Sequence, residues 1–210
     1  MPRPDIWDFW SAHYDRLWVQ RLSLAPTRAA LLARLARLPP GRLLDVGCGT
    51  GQLLDELARR PDGAAWDYTG VDASAAMIAC ARRKHPGARL RCADVLAYQA
   101  APGRCDAVVC AHVFPYLPDA PAALARFADW LRPGGQLLLA QACAETAYDR
   151  LILAFVKRTT SAAVYRPVSE LSALARPLFG EPGEIVRLNR PGVPSLRLLV
   201  WTKPAGGLPA

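Results

Sequence analysis

An α/β fold, a mixed sheet with helices on both faces, is what this chain predicts. Three observations predict it. Short apolar runs at residues 43–46, 68–71 and 106–111 alternate with longer helical patterns, the rhythm of strand–helix–strand units. The first run passes through Gly47, Gly49 and Gly51 directly into a helix. Three successive strand ends carry an acid, at Asp45, Asp72 and Asp94, which ordinary solvated turns do not explain.

The 210 residues suggest a single domain, 1–210, and 52% hydrophobic content is ample for its core. No internal repeat or low-complexity tract is present, and no apolar run reaches the length of a membrane span. The start, MPRPDIWDFW, is charged and aromatic, unlike a secretory signal. Six scattered cysteines form no C-x-x-C pair; they read as free thiols in a reducing, cytoplasmic setting, with no metal site. The net charge of +8 is uneven. Residues 61–120 balance 6 basic against 6 acidic side chains, whereas residues 121–210 carry 11 against 6. The excess would face an anionic substrate, an anionic membrane or RNA, or be an ordinary positive surface.

Residues 6–20 place Trp7, Trp10, Tyr14 and Trp18 on one helical stripe, with His13 and Asp15 beside it. A helix follows over 27–38, started by Pro26 and Thr27 and stopped by Pro39-Pro40-Gly41; Arg28, Arg34 and Arg37 read as its solvated face. Leu43, Leu44 and Val46 form an interior strand. The glycines after it tolerate positive φ and leave room for a ligand, and the next helix exposes free N–H groups. That crossover suits a nucleotide-like group. Neither G-x-G-x-x-G nor G-K-[ST] is present. Asp45 would repel a phosphate and suits an amine.

Helix 52–60 packs Leu53, Leu54 and Leu57 on the sheet. Strand 68–71 ends at Asp72, about 20 residues past the last glycine, where a ribose diol is gripped. Met77 lies one turn into helix 74–83, and the basic cluster 82–85 complements that helix's dipole. A short strand, 91–95, carries Asp94. Strand 106–111 delivers His112 and Tyr116 at the sheet's carboxyl side. Helix 119–131 turns inward Leu124, Phe127, Ala128 and Leu131, and Pro133-Gly134-Gly135 makes a sharp turn before strand 136–142. The apolar run 151–156 has three accounts: a buried outer helix, a cap over an apolar substrate within residues 144–180, or an amphipathic helix on an anionic membrane. Helix 169–178 is capped by Ser169. Strands 185–188 and 196–201 form a final antiparallel pair joined through residues 189–192, and 206–210 is a frayed tail.

The strings LLDVGCGTGQ, VDASAAM, CADV, CDAVVCAHVFPYL and LRPGGQLLLAQA resemble the class I S-adenosylmethionine-dependent methyltransferases, particularly the small type 11 group. They occur in family order over residues 43–142. The resemblance implies a Rossmann-like seven-stranded sheet with a C-terminal antiparallel strand pair, and S-adenosyl-L-methionine as cofactor. It implies that Gly47, Cys48, Gly49 and Gly51, with Asp45, surround the cofactor's methionine part. Asp72 and Ala73 would take the ribose, Met77, Asp94 and Val95 the adenine, and Ala111 would border the cleft. The N-terminal helices within 1–40 would form part of the cleft's front, with Tyr14 near the methionine end.

His112 and Tyr116 are the substrate-side pair. His112 is a candidate general base, since its ordinary pKa lies near working pH, or it merely packs beneath the substrate. Tyr116 would orient a nucleophile. The Asn/Asp-Pro-Pro-Tyr pattern of amino-group methyltransferases is absent, which counts against DNA amines and protein glutamine. The resulting expectation is methyl transfer to a small apolar or aromatic metabolite. The alternatives are a phospholipid N-methyltransferase in peripheral contact with an anionic membrane, and a cofactor-binding protein without turnover. RNA is disfavoured because no RNA-binding appendage accompanies the motifs.

Overall fold

The computed structural model describes residues 7–8, 14–16, 19–160, 163–188 and 192–206. Strand β1 (Arg42–Val46) lies inside the sheet, between β2 (Asp67–Asp72) and β4 (Cys105–Ala111), parallel to both. Outward on one side comes β3 (Arg89–Cys92). On the other come β5 (Leu131–Ala142), β7 (Leu196–Thr202) and the edge strand β6 (Glu184–Arg187). The seven-stranded order is β3-β2-β1-β4-β5-β7-β6, with β7 antiparallel to both its neighbours. The strand order reverses between β1 and β4, where open α/β sheets bind ligands.

Alternation along the strands builds two cores. Leu44, Val46, Val108, Cys110, Leu137, Leu139, Leu199 and Trp201 meet helices α4 (Ala120–Trp130) and α6 (Val168–Phe179). Leu43, Ala107, Val109, Leu138, Ala140, Leu198 and Val200 meet helices α1 (Ala25–Leu35), α2 (Gln52–Ala58) and α3 (Ala75–Lys84). A sheet covered on both faces needs such uninterrupted apolar strands. Each fully buried leucine contributes about 2 kcal/mol.

Several boundaries differ from the sequence expectation, each for a local reason. Helix α1 begins at Ala25, because a π-turn over Gln20–Leu24 runs straight into it and Pro26 sits in its first turn. Asp119 lies outside α4 as its cap, accepting from the Ala122 N–H at 2.9 Å. The expected turn at residues 133–135 is a bulge inside β5. Cys105 pairs with Leu131 but Ala107 with Gln136, and Gly134 takes φ 76°. Ser169 is not a cap: α6 starts at Val168, whose N–H donates to Glu145 Oε1 at 2.7 Å. Strand β3 stops at Cys92, so Asp94 belongs to the following turn. Trp10, His13, Trp18, the connection at 189–191 and the tail at 207–210 lie outside the described residues.

Helix α5 (Ala147–Thr160) corrects the buried-helix account of the run 151–156. Leu153 packs against Ala142 and Leu196, but Leu151 is 71% exposed and Phe155 67%. Among the described residues no helix is long and apolar enough to cross a membrane. All six cysteines are free, and four of them, Cys48, Cys105, Cys110 and Cys143, are buried. Among the described residues no group of three His, Cys, Asp or Glu side chains could hold a metal ion.

Candidate active site

The site forms where β1 hands the chain to α2. Gly47 and Cys48 donate their N–H groups to the carbonyl of Val71 on β2, at 2.7 and 3.1 Å. This ties the turn to the neighbouring strand. Gly47 and Gly49 take φ of 71° and 53°, values that cost a side-chain-bearing residue about 1 kcal/mol or more. At Gly47 a Cβ would lie 2.0 Å from Val113, so the turn after β4 could not approach. At Gly49 a Cβ would meet nothing within 4 Å, since it would project into an open cradle. Cys48 lines the smaller lobe while its Sγ packs over Gly70.

Two lobes meet over this turn and share Tyr14, Gly47, Gly49, Ala111 and His112. The larger encloses about 920 Å³, its open mouth included, and adds Asp72, Ala73, Met77, Asp94 and Val95 from the strand ends. The smaller, about 450 Å³, lies towards α1 and adds Thr27, Arg28, Asp45 and Gln52.

Asp72 is the junction. Its Oδ2 accepts from the Gly49 N–H and its Oδ1 from the Ser74 N–H, each at 2.9 Å. Burial raises its pKa despite those two donors. Asp94 folds back on its own turn, Oδ1 accepting from Leu96 and Ala97. Asp45 is only 2% exposed and accepts from the Tyr68 hydroxyl at 2.7 Å. Burial pushes its carboxyl up to about 7, with the Tyr68 bond opposing and Asp72 adding. Ser74 caps α3 by accepting from Met77 N–H, which brings the buried Met77 to the lobe's floor.

The cover over the lobes is aromatic. Trp7 stands edge-on to Tyr14 at 6.3 Å and to Tyr116 at 5.3 Å. The Tyr116 hydroxyl lies 3.1 Å from that of Tyr165, just beyond α5. Burial, with Tyr116 and Asp72 nearby, raises the Tyr14 pKa. Asp15 pins the Tyr14 segment down: it accepts from Thr50 Oγ1, Gln52 Nε2 and Lys84 Nζ. His112 and Tyr116 both line the larger lobe, but they reach apart. Tyr116 reaches to Tyr165, and His112 reaches its Nε2 to Thr27 Oγ1 on α1 at 2.9 Å. Burial first, then Arg28, lowers the His112 pKa to about 4.

Arg28 is the residue the sequence reading missed. It is not on a solvated face. Its guanidinium lies at the smaller lobe and donates to Glu56, Gln20 and Gln52 at 2.6, 3.1 and 2.7 Å. The signal was helical phase. Arg28 falls three and four residues from Leu24, Leu31 and Leu32, on the apolar stripe and not opposite it.

A glycine crossover at the switch point, an acid ending β2 and an inserted antiparallel β7 together define a methyltransferase-type α/β protein. Residues 43–135 match the family model described as "Methyltransferase domain". The chain has the architecture of the small Rossmann-like S-adenosylmethionine-dependent methyltransferases. It is 30% identical over 181 residues to the biotin biosynthesis bifunctional protein BioCD of Bordetella avium, covering 86% of this chain and 38% of that one. It is 39% identical over 110 residues to the trans-aconitate 2-methyltransferase of Methylobacterium nodulans, covering 52% and 41%. These relatives are longer proteins, of which the chain spans less than half. In fold it is similar to a SAM-dependent methyltransferase of Thermotoga maritima, with a TM-score of 0.76, 20% identity, and 95% and 99% of the two chains covered.

The cofactor of this family is S-adenosyl-L-methionine, and the cleft's own chemistry fits it. The open cradle at Gly49 admits a close-lying group. The carboxylates of Asp72 and Asp94 suit hydroxyl and amine donors. Arg28 brings a cation and Asp45 an ionisable carboxyl to one lobe, which suits a zwitterionic amino-acid end.

Proposed function

We propose that the chain transfers a methyl group from S-adenosyl-L-methionine to a small apolar or aromatic metabolite. The observation that carries this is the continuity of the charged cradle with an aromatic wall of Trp7, Tyr14 and Tyr116. Bound there, the cofactor supplies an electrophilic methyl carbon on a positively charged sulfur. The chain's contribution is alignment and exclusion of water. Asp72 accepts from the ribose hydroxyls while keeping Gly49 in place. Asp94, Met77 and Val95 would hold the adenine end. Arg28 takes the carboxylate and Asp45 the ammonium of the methionine end. Tyr14, Trp7 and Tyr116 close over the acceptor and hold it flat.

Relatives named for small molecules support a small-metabolite acceptor: the trans-aconitate methyltransferases, whose acceptor is an organic acid, and a ubiquinone biosynthesis O-methyltransferase of Xanthomonas campestris at 34% identity over 123 residues, whose name fits the aromatic class. Among the described residues the larger lobe carries no Lys or Arg and two carboxylates, which favours an uncharged acceptor over an organic acid.

The test is incubation of purified protein with cofactor and a metabolite extract, with mass spectrometry for products heavier by one methylene. Tight cofactor binding without any such product would favour a non-catalytic cofactor-binding protein.

One observation favours a second reading, methylation at a lipid surface. Tyr148, Leu151 and Phe155 form an exposed stripe on α5, with exposed Arg150 and Lys157 on the same helix, while its acid Asp149 is turned inward to the Ser195 N–H. Sedimentation with phosphatidylserine-containing vesicles at low and high salt separates the two readings; no binding at either removes the second.

A further inference from the structure

His112 carries more constraint than a residue that only packs. Its backbone is left-handed, with φ 58°, a conformation strained for a residue that carries a side chain. Its N–H is held by the Ala140 carbonyl at 2.7 Å. Its ring ends on Thr27 Oγ1 at 2.9 Å. The same Thr27 hydroxyl donates to the Ser23 carbonyl, also at 2.9 Å.

That second bond settles the first. A carbonyl oxygen only accepts, so the single proton of the Thr27 hydroxyl is committed to Ser23. Thr27 Oγ1 therefore accepts from His112, and the proton of the neutral ring sits on Nε2. Nδ1 is left with its lone pair, and among the described residues no hydrogen bond reaches it. His112 lines both lobes. The ring is half-buried beside the Arg28 cation, an environment hostile to a second proton.

We infer that Thr27 is a positioning residue: through the Ser23–Thr27–His112 chain it fixes the Nε2–H tautomer and presents Nδ1 to the cleft as a standing hydrogen-bond acceptor for the acceptor molecule's O–H or N–H. This role is narrower than a general base. The imidazole stays neutral, takes no proton in the ground state and orients the nucleophile by its donor hydrogen. The ligand half of the inference rests on the methyl-transfer reading; the tautomer half does not.

The two halves are tested separately by long-range proton–nitrogen correlation spectra of the full chain. The chain has three histidines, and His112→Gln assigns the signal. Nε2 should appear as the protonated, pyrrole-type nitrogen and Nδ1 as the pyridine-type nitrogen throughout about pH 5 to about pH 8. A proton on Nδ1, or titration at an ordinary histidine pKa near 6.5, overturns the inference. Thr27→Val, which keeps the shape and removes the hydroxyl, should mix the tautomers, and Thr27→Ser should restore the parent pattern. An unchanged tautomer in the valine variant also overturns it. Phenol and anisole then probe the ligand half in protein loaded with S-adenosyl-L-homocysteine. Phenol, with a donor hydrogen, should move the Nδ1 resonance, and anisole should not. No phenol-specific shift at tens of millimolar probe rejects the acceptor role and leaves the cofactor reading standing.

Discussion

Asp72 Oδ2 accepts a hydrogen bond from the backbone N–H of Gly49 at 2.9 Å, across 23 residues of sequence. One carboxylate thus fixes the glycine turn and, in the proposed complex, grips the ribose. Asp72→Ala should weaken binding of S-adenosyl-L-homocysteine by about 10- to 100-fold, since a hydrogen bond to a charged group is worth about 1.5 to 3 kcal/mol. The sheet should remain folded, because Val71 still holds the turn through Gly47 and Cys48. Calorimetry and circular dichroism check both halves. Unchanged affinity would remove Asp72 from the cofactor site.

Asp45 makes affinity depend on pH. Its carboxyl is pushed up to about 7 by burial, so near neutrality it is half protonated. A cofactor ammonium beside it favours the ionised form, so binding should release protons and weaken as pH falls below about 7, approaching tenfold per unit. Calorimetry in two buffers of different ionisation enthalpy measures the release. Stability moves the opposite way. The folded state holds a proton that the unfolded chain releases near 3.8, so this group's contribution falls as pH rises between those two values. Asp45→Asn should raise the melting temperature of the ligand-free protein at about pH 8, by at most about 4 kcal/mol of stability, and have little effect near pH 4. A variant less stable at both values would show that the ionised carboxylate is not under strain.

The sheet and the glycine turn were legible in the sequence because both are local. Strand runs such as residues 43–46 are written in consecutive apolar residues, and a left-handed turn at the end of a buried strand requires glycine. What was not legible depends on chain distant in sequence. Arg28 looked solvated because charge outweighed phase; only α2, bringing Glu56 and Gln52, shows that its neighbourhood is polar and enclosed. Ser169 looked like a cap, but Glu145 reaches the helix start at Val168, 23 residues on. The tautomer of His112 is set by a hydroxyl 85 residues away, and no spacing rule encodes it.

Arg28 should act on one end of the cofactor. Arg28→Met keeps an apolar stem of similar girth and removes the charge. Affinity for S-adenosyl-L-homocysteine should fall by about tenfold or more. Affinity for 5′-methylthioadenosine, which lacks the amino-acid end, should stay within about twofold. Equal losses for the two ligands would mean that Arg28 only braces Glu56, Gln20 and Gln52, and that the smaller lobe does not hold the methionine carboxylate.

Helix α5 offers a test within four residues. Leu153 is 3% exposed and packs on Ala142 and Leu196, whereas Leu151 is 71% exposed. Leu153→Ala should cost about 2 to 4 kcal/mol in urea unfolding, and Leu151→Ser should be neutral within about 0.5 kcal/mol. The paired variant Leu151→Ser with Phe155→Ser therefore removes the exposed stripe without unsettling the fold. If the lipid-surface reading holds, that variant loses vesicle binding at low salt while keeping wild-type affinity for S-adenosyl-L-homocysteine. If the stripe instead closes over a soluble acceptor, vesicles never bind. The same variant then turns over the acceptor found by the metabolite screen with a raised KM, because the apolar stripe that would cover the acceptor is gone.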